Sequence, residues 1–214
     1  MNYEVSAETL KFNAPTSISL VGPSACGKTS WAIRLLNNAD KLFKQPVDRV
    51  LYFYSEYQPL YDQLPNHVEL IKGLPSVDSL RLNPELHTLA IVDDQMVECE
   101  KSNVITLLAT KVCHHSNVSL VYLTQNLFSR NSRTARVNMH YIVLFSNPAD
   151  KRQISTLSSQ MYPGKAGVLL EAFTDATKDS YGYLLVDMTQ NCPDHLRLRT
   201  NVFPSENLVC YIPK

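Results

Sequence analysis

The chain has 214 residues, 44% of them hydrophobic and 19% charged, with 20 Lys+Arg against 20 Asp+Glu. This length can bury a substantial core in one domain, and the composition excludes a disordered chain, which would combine low hydrophobicity with high net charge. Zero net charge also excludes a polycation that coats nucleic acid by bulk charge, yet residues 1–100 hold 8 basic and 13 acidic side chains and residues 101–214 hold 12 and 7, an asymmetry that hints at a polyanion met by one face.

Met1–Ala14 mixes polar and charged residues without the apolar run of a signal peptide. No apolar run in the chain approaches the roughly 18–20 residues needed to cross a bilayer, so a soluble protein is expected. The first strand is Thr16–Val21 (TSISLV). It runs directly into Gly22-Pro23-Ser24-Ala25-Cys26-Gly27-Lys28-Thr29, which fits GxxxxGK[ST], and then into a helix over Lys28–Asn38 with Trp31, Ala32, Leu35 and Leu36 on one face. Strand, glycine loop and helix in that order form a phosphate-binding loop. The glycines let the loop curl so that successive N–H groups face one phosphate, and the helix start adds a positive dipole end. Gly22 to Ser30 is the expected ATP-binding stretch: Lys28 neutralises the β/γ-phosphates and Thr29 offers its hydroxyl to Mg²⁺.

Val50–Tyr54 (VLYFY) is the next strand, followed by an irregular, proline-containing stretch over Gln58–His87 with a short strand at Val68–Ile71. Leu89–Val92 (LAIV) ends in Asp93-Asp94. A buried strand closing on two acids is the Walker B arrangement: Asp93 holds Mg²⁺ through water, and Asp94 lies by the γ-phosphate to orient or deprotonate water. A helix over Val104–Cys113, with Ser102 as N-cap, places Val104, Leu107, Leu108 and Val112 on one face. Cys113-His114-His115 is not a zinc site, because adjacent residues at a helix end do not converge on one ion and no second ligand cluster has zinc spacing. The cysteines (Cys26, Cys99, Cys113, Cys192, Cys210) are odd in number and lack a CxxC pair, which fits a reducing, intracellular setting.

Val118–Leu123 (VSLVYL) leads into Thr124-Gln125-Asn126, putting Gln125 or Asn126 near the γ-phosphate. An acid pair followed by this extra strand favours the ATPase branch with an additional central strand, and the absence of an NKxD tetrapeptide favours adenine over guanine. Five basic residues and one acidic residue lie between Ser129 and Arg152. In the ring that the family resemblance described below implies, an arginine from a neighbouring subunit would complete the site. Arg130, Arg133, Arg136 and Arg152 are the candidates; Arg136 is favoured because it directly precedes the strand Tyr141–Phe145 (YIVLF), with solvated surface or DNA contact as the competing readings for this loop. Val168–Phe173, Tyr181–Asp187, Leu196–Thr200 and Leu208–Ile212 read as further strands extending the sheet, partly antiparallel. Arg197 and Arg199 would then share a strand face and, in the ring that the resemblance described below implies, either line the pore or pair with acids at a subunit contact.

Alternating, nearly all-apolar strands and helices predict a three-layer α/β domain. The expected organisation is a single domain over 1–214: a lead-in over 1–15, a nucleotide-binding core over 16–167 and a strand-rich extension over 168–214.

A more specific likeness comes from segments occurring in order: LYFYSEYQP (51–59), IVDDQM (91–96), HHSN (114–117), YLTQNLF (122–128), NMHYIVLF (138–145), NPAD (147–150), QMYP (160–163), DAT (175–177), YGYLLVD (181–187) and LRLRT (196–200). Together, over roughly residues 16–204, they resemble the genome-packaging ATPases of poxviruses, other large DNA viruses and Maverick/polinton or adintovirus elements, in the FtsK–HerA superfamily. The resemblance implies a P-loop NTPase of the ASCE, RecA/FtsK-like type, with ATP and Mg²⁺ as its cofactors. It implies a homo-oligomeric ring, pentamer or hexamer, that drives double-stranded DNA without sequence preference into a preformed capsid. Capsid or portal components would be partners, and the location would be the infected host cell, in cytoplasm or nucleus, or the virion. One departure is Asp94, where many members carry Glu. The competing expectations are a small-molecule P-loop kinase with Arg130–Arg136 as a lid, a helicase-like nucleic-acid-dependent ATPase, and a non-catalytic assembly protein.

Overall fold

A computed structural model describes residues 10–76, 83–93, 104–112, 116–128 and 133–212. Asp94, Cys99, Ser102, Cys113, His114, His115 and Arg130 lie outside these residues. Among the described residues, nine strands form one sheet: β1 (Ser17–Val21), β2 (Arg49–Tyr54), β3 (Val68–Lys72), β4 (Thr88–Asp93), β5 (Val118–Thr124), β6 (Tyr141–Phe145), β7 (Tyr183–Asp187), β8 (Leu198–Thr200) and β9 (Val209–Tyr211). Their order is β3-β2-β4-β5-β1-β6-β7-β8-β9. The first six are parallel to their neighbours, and β7, β8 and β9 are added antiparallel. The α/β class with a mostly parallel sheet and antiparallel C-terminal strands is therefore observed, and β5 does lie between β4 and β1.

The central strands are apolar nearly throughout because both faces are covered. Along β4, Leu89 and Ile91 enter one core while Ala90 and Val92 enter the other. Along β5, Val121 and Leu123 alternate in the same way with Leu120 and Tyr122. One face is covered by α1 (Lys28–Asn37), through Trp31, Ala32, Leu35 and Leu36, by Leu42 of α2 (Ala39–Leu42), and by Phe12, Phe43 and Phe203 from segments outside these helices. The other face is covered by α3 (Val104–Leu107) with the π-type turn that continues it over Leu108–Val112, by α4 (Arg133–Val137), by α5 (Arg152–Met161) and by α6 (Gly167–Ala176).

Two expectations are corrected here. Val168–Phe173 is not a strand but the body of α6, with Leu169, Ala172, Phe173 and Ala176 buried. A short apolar run does not by itself separate a strand from a buried helix, whereas the 3-4-7 spacing of those four residues does. Over 104–110 the fully buried side chains are Ile105, Leu108 and Ala109, with Val104 packed partly buried against the same core and Leu107 half-buried.

The arginines of the last strands are also placed differently. Arg199 is 3% exposed and its Nη2 donates to Asp187 Oδ2 at 2.8 Å, within the same chain. Arg197 precedes β8, and its guanidinium donates to the carbonyls of Asp187 (2.7 Å) and Cys192 (2.8 Å). The two do not form a shared exposed face, since the chain's own carboxylate and carbonyls engage both. Removing one member of a buried ion pair leaves an uncompensated charge. Asp187→Ala is therefore expected to cost about 3–5 kcal/mol in urea denaturation, and the Asp187→Leu/Arg199→Met pair distinctly less.

Candidate nucleotide site

Parallel pairing decides where the polar residues meet. β1, β4 and β5 run the same way, with Val21 opposite Thr124 and Val92 opposite Tyr122, so their C-terminal ends open on one edge of the sheet. That edge is where open α/β sheets take ligands. The 22–29 loop leaves β1 and enters α1 there, tied to β5 by Gly22 N–H donating to the Thr124 carbonyl at 3.1 Å.

Two positions give the loop its curl. Ala25 has φ 62°, and Gly27 has φ 106° at the N-cap of α1. Gly27 is constrained by space as well as by φ: a Cβ there would lie 3.1 Å from the Tyr181 ring. Lys28 Nζ donates to the Gly22 carbonyl at 2.6 Å and to the Pro23 carbonyl at 2.7 Å, folding its ammonium back over the loop. The helix start, the lysine and the loop N–H groups concentrate positive potential at one place, which is the requirement for holding a phosphate.

Across the cleft, Asp93 is only 2% exposed at the end of β4. Its Oδ2 accepts hydrogen bonds from three hydroxyls: Thr29 at 3.1 Å, Tyr52 at 2.6 Å and Tyr61 at 3.1 Å. Burial first, and then the neighbouring Asp93 carboxylate, push the Tyr52 phenol far above its usual range, so Tyr52 stays a proton donor. Gln125, exposed at the end of β5, directs Nε2 to Ser24 Oγ at 3.4 Å. Asn126 is used differently: its Oδ1 accepts from Phe128 N–H at 2.8 Å, closing a turn. Between Gln125 and Asn126, it is therefore Gln125 that lines the cleft. Ser24, Ala25, Lys28, Thr29, Gln58, Asp93, Thr124 and Gln125 enclose a volume of about 220 Å³.

The donor chemistry suits a small hard cation. A hydroxyl and a carboxylate stand 3.1 Å apart. Among the described residues no group of three or more His, Cys, Asp or Glu side chains converges. A cation here would meet few protein oxygens, as Mg²⁺ does when phosphates and water complete its shell.

Of the arginine candidates, Arg136 lies within α4, its Nη1 donating to Gln160 Oε1 at 3.1 Å and its guanidinium 4.5 Å above the Phe128 ring. Arg152 is exposed at the start of α5, and Arg133 opens α4. Tyr52, Tyr61 and Gln58 are contributors that motif reasoning does not find. The available signal was a tyrosine inside a fully buried strand, whose hydroxyl needs a partner.

No protein-family model and no curated protein matches the sequence. Among solved structures, the chain is similar to the genome packaging NTPase B204 from Sulfolobus turreted icosahedral virus 2, in complex with ATP-gammaS. The two are 12% identical, and the match covers 92% of this chain and 97% of that one with a TM-score of 0.52. At that identity the likeness shows a shared fold.

Cys26 gives a direct probe of the loop. Burial raises its thiol pKa, opposed by the charge of Lys28, so the thiolate forms only above the ordinary cysteine range. Iodoacetamide labelling of Cys26, followed by mass spectrometry, is expected to stay slow at neutral pH and accelerate as pH rises past 9. Cys192, whose pKa is pushed up to about 12, is expected to lag behind it.

Proposed function

We propose that the protein is a Mg²⁺-dependent ATPase that acts as a motor subunit in viral genome packaging, moving double-stranded DNA into a preformed capsid. One observation carries the catalytic half of this reading: the Thr29–Asp93 hydrogen bond, which joins the phosphate-binding loop to the end of β4. Strand order supports the ATPase branch over a small-molecule kinase, because β5 separates β4 from β1 and brings Gln125 against the loop. The packaging half rests on the ordered segments read from the sequence and on the fold shared with the packaging NTPase.

In this reading Gly22 to Ser30 hold ATP, with backbone N–H groups and Lys28 on its phosphates. Lys28 leaves the carbonyls of Gly22 and Pro23 as phosphate arrives, exchanging two neutral acceptors for anionic ones. Thr29 and Asp93 would hold Mg²⁺, which would supply positive charge against the phosphates. Asp94 takes the proton of the attacking water and Gln125 orients that water. An arginine of the neighbouring subunit in a ring, with Arg136 ahead of Arg130, Arg133 and Arg152, stabilises charge on the transferred group. DNA contacts are to phosphates and independent of sequence. The setting is the infected host cell. Among the described residues no helix is long and apolar enough to cross a membrane.

The test is the ATP hydrolysis rate with and without duplex DNA, measured alongside oligomer mass. Duplex DNA is expected to stimulate turnover of an assembled ring, and a rate indifferent to DNA overturns the translocase reading. Lys28→Ala is expected to lower turnover by about 100-fold or more. Asp94→Asn should bind ATP-gammaS but not hydrolyse ATP; turnover retained there removes Asp94 from the general-base role. Mixing Arg136→Ala with Lys28→Ala subunits should restore part of the activity, and rings that form without rescue count against Arg136.

A further inference from the structure

Asp93 is held by more than the phosphate-binding loop. Tyr52 reaches its Oδ2 from within β2, and Tyr61 reaches the same atom from a 3-10 turn over Pro59–Gln63. Both rings are buried, at 0% and 2% exposure, and they pack on each other with centroids 5.1 Å apart. Three hydroxyls from three separate elements thus converge on one carboxylate oxygen. Rotation of the carboxyl group about Cβ–Cγ would break all three bonds at once, so its plane is fixed from outside the loop.

We propose that Tyr52 and Tyr61 are positioning residues for divalent-cation binding: their hydroxyls fix the Asp93 carboxylate so that it and Thr29 offer their oxygens together to the cation. This rests on the reading of Asp93 as the metal-side acid. Groups that orient a metal ligand commonly contribute about 10–100-fold to metal affinity. Tyr52 makes the shorter bond, 2.6 Å against 3.1 Å, and its hydroxyl is the more important of the two. The turn that carries Tyr61 also begins next to Gln58, which lines the cleft, so this second hydroxyl ties one wall of the cleft to the carboxylate.

The phenylalanine variants keep the rings and delete only the hydroxyls. ATP-gammaS binding is measured by calorimetry in EDTA and then across a Mg²⁺ titration, for the unaltered chain, Asp93→Asn, Tyr52→Phe, Tyr61→Phe and the double variant. Thermal unfolding is recorded for each. For the phenylalanine variants the expected result is binding in EDTA equal to that of the unaltered chain, with the Mg²⁺ concentration for half-maximal tightening raised about tenfold in Tyr52→Phe, less in Tyr61→Phe and most in the double variant. If Mg²⁺ tightens binding to the unaltered chain and Asp93→Asn abolishes that effect, while folded Tyr52→Phe and Tyr61→Phe respond like the unaltered chain, the positioning role is overturned and the metal-side assignment stands. If Mg²⁺ has no effect on the unaltered chain, or Asp93→Asn responds normally, the assignment of Asp93 fails and this inference with it. Should Tyr52→Phe not fold, Tyr61→Phe carries the test alone: a response equal to the unaltered chain overturns the role, and a shifted one supports it.

Discussion

The hydrogen bond between Thr29 and Asp93 spans 64 residues of sequence, and it depends on strand direction. Only because β1, β4 and β5 are parallel do the phosphate loop, the carboxylate and Gln125 arrive at one edge. The same pairing requires apolar residues on both faces of each strand, since the crossovers that return the chain must cover the sheet. The polar groups that β4 and β5 themselves give the cleft, Asp93 and Thr124, accordingly stand at the C-terminal ends of those strands. The chemistry and the core are two results of one topological constraint.

The antiparallel part of the sheet solves a different problem. β6 would otherwise expose an edge, and β7 covers it with five paired residues. The cost is a carboxylate and a guanidinium, Asp187 and Arg199, drawn into the interior. Arg199 Nη2 donates to Asp187 while its buried Nε finds no partner among the described residues, and Thr189 adds two further donors to Asp187. This accounts for part of the basic excess in the second half of the chain: Arg197 and Arg199 hold the C-terminal strands together.

The strand–loop–helix at 16–38 and the strand closing on Asp93 were legible because their signals are local: a glycine loop between two periodic patterns, and an apolar run with an abrupt acidic end. The strand character of 118–123, 141–145 and 181–187 was legible for the same reason. What escaped was set by tertiary packing. The helix over Gly167–Ala176 shares its apolar density with a strand and is separated from one only by spacing. The fate of Arg199 depended on a partner 12 residues away on a neighbouring strand, and the roles of Tyr52 and Tyr61 on a carboxylate 41 and 32 residues distant. No local pattern encodes such meetings.

Tyr181 gives the phosphate loop a neighbour from the far end of the chain. It is 71% exposed, has φ 64°, and stands with its ring against the position where a side chain at 27 would begin. Two residues later the chain enters β7, whose Tyr183 packs edge-on against Trp31 of α1. The loop and the first turns of α1 are thus bracketed by one short stretch of the antiparallel strands. Tyr181, which belongs to neither the loop nor its helix, thus stands beside Gly27 at the start of α1. A side chain at 27 would therefore be opposed twice, by the left-handed backbone and by a ring delivered from just ahead of β7.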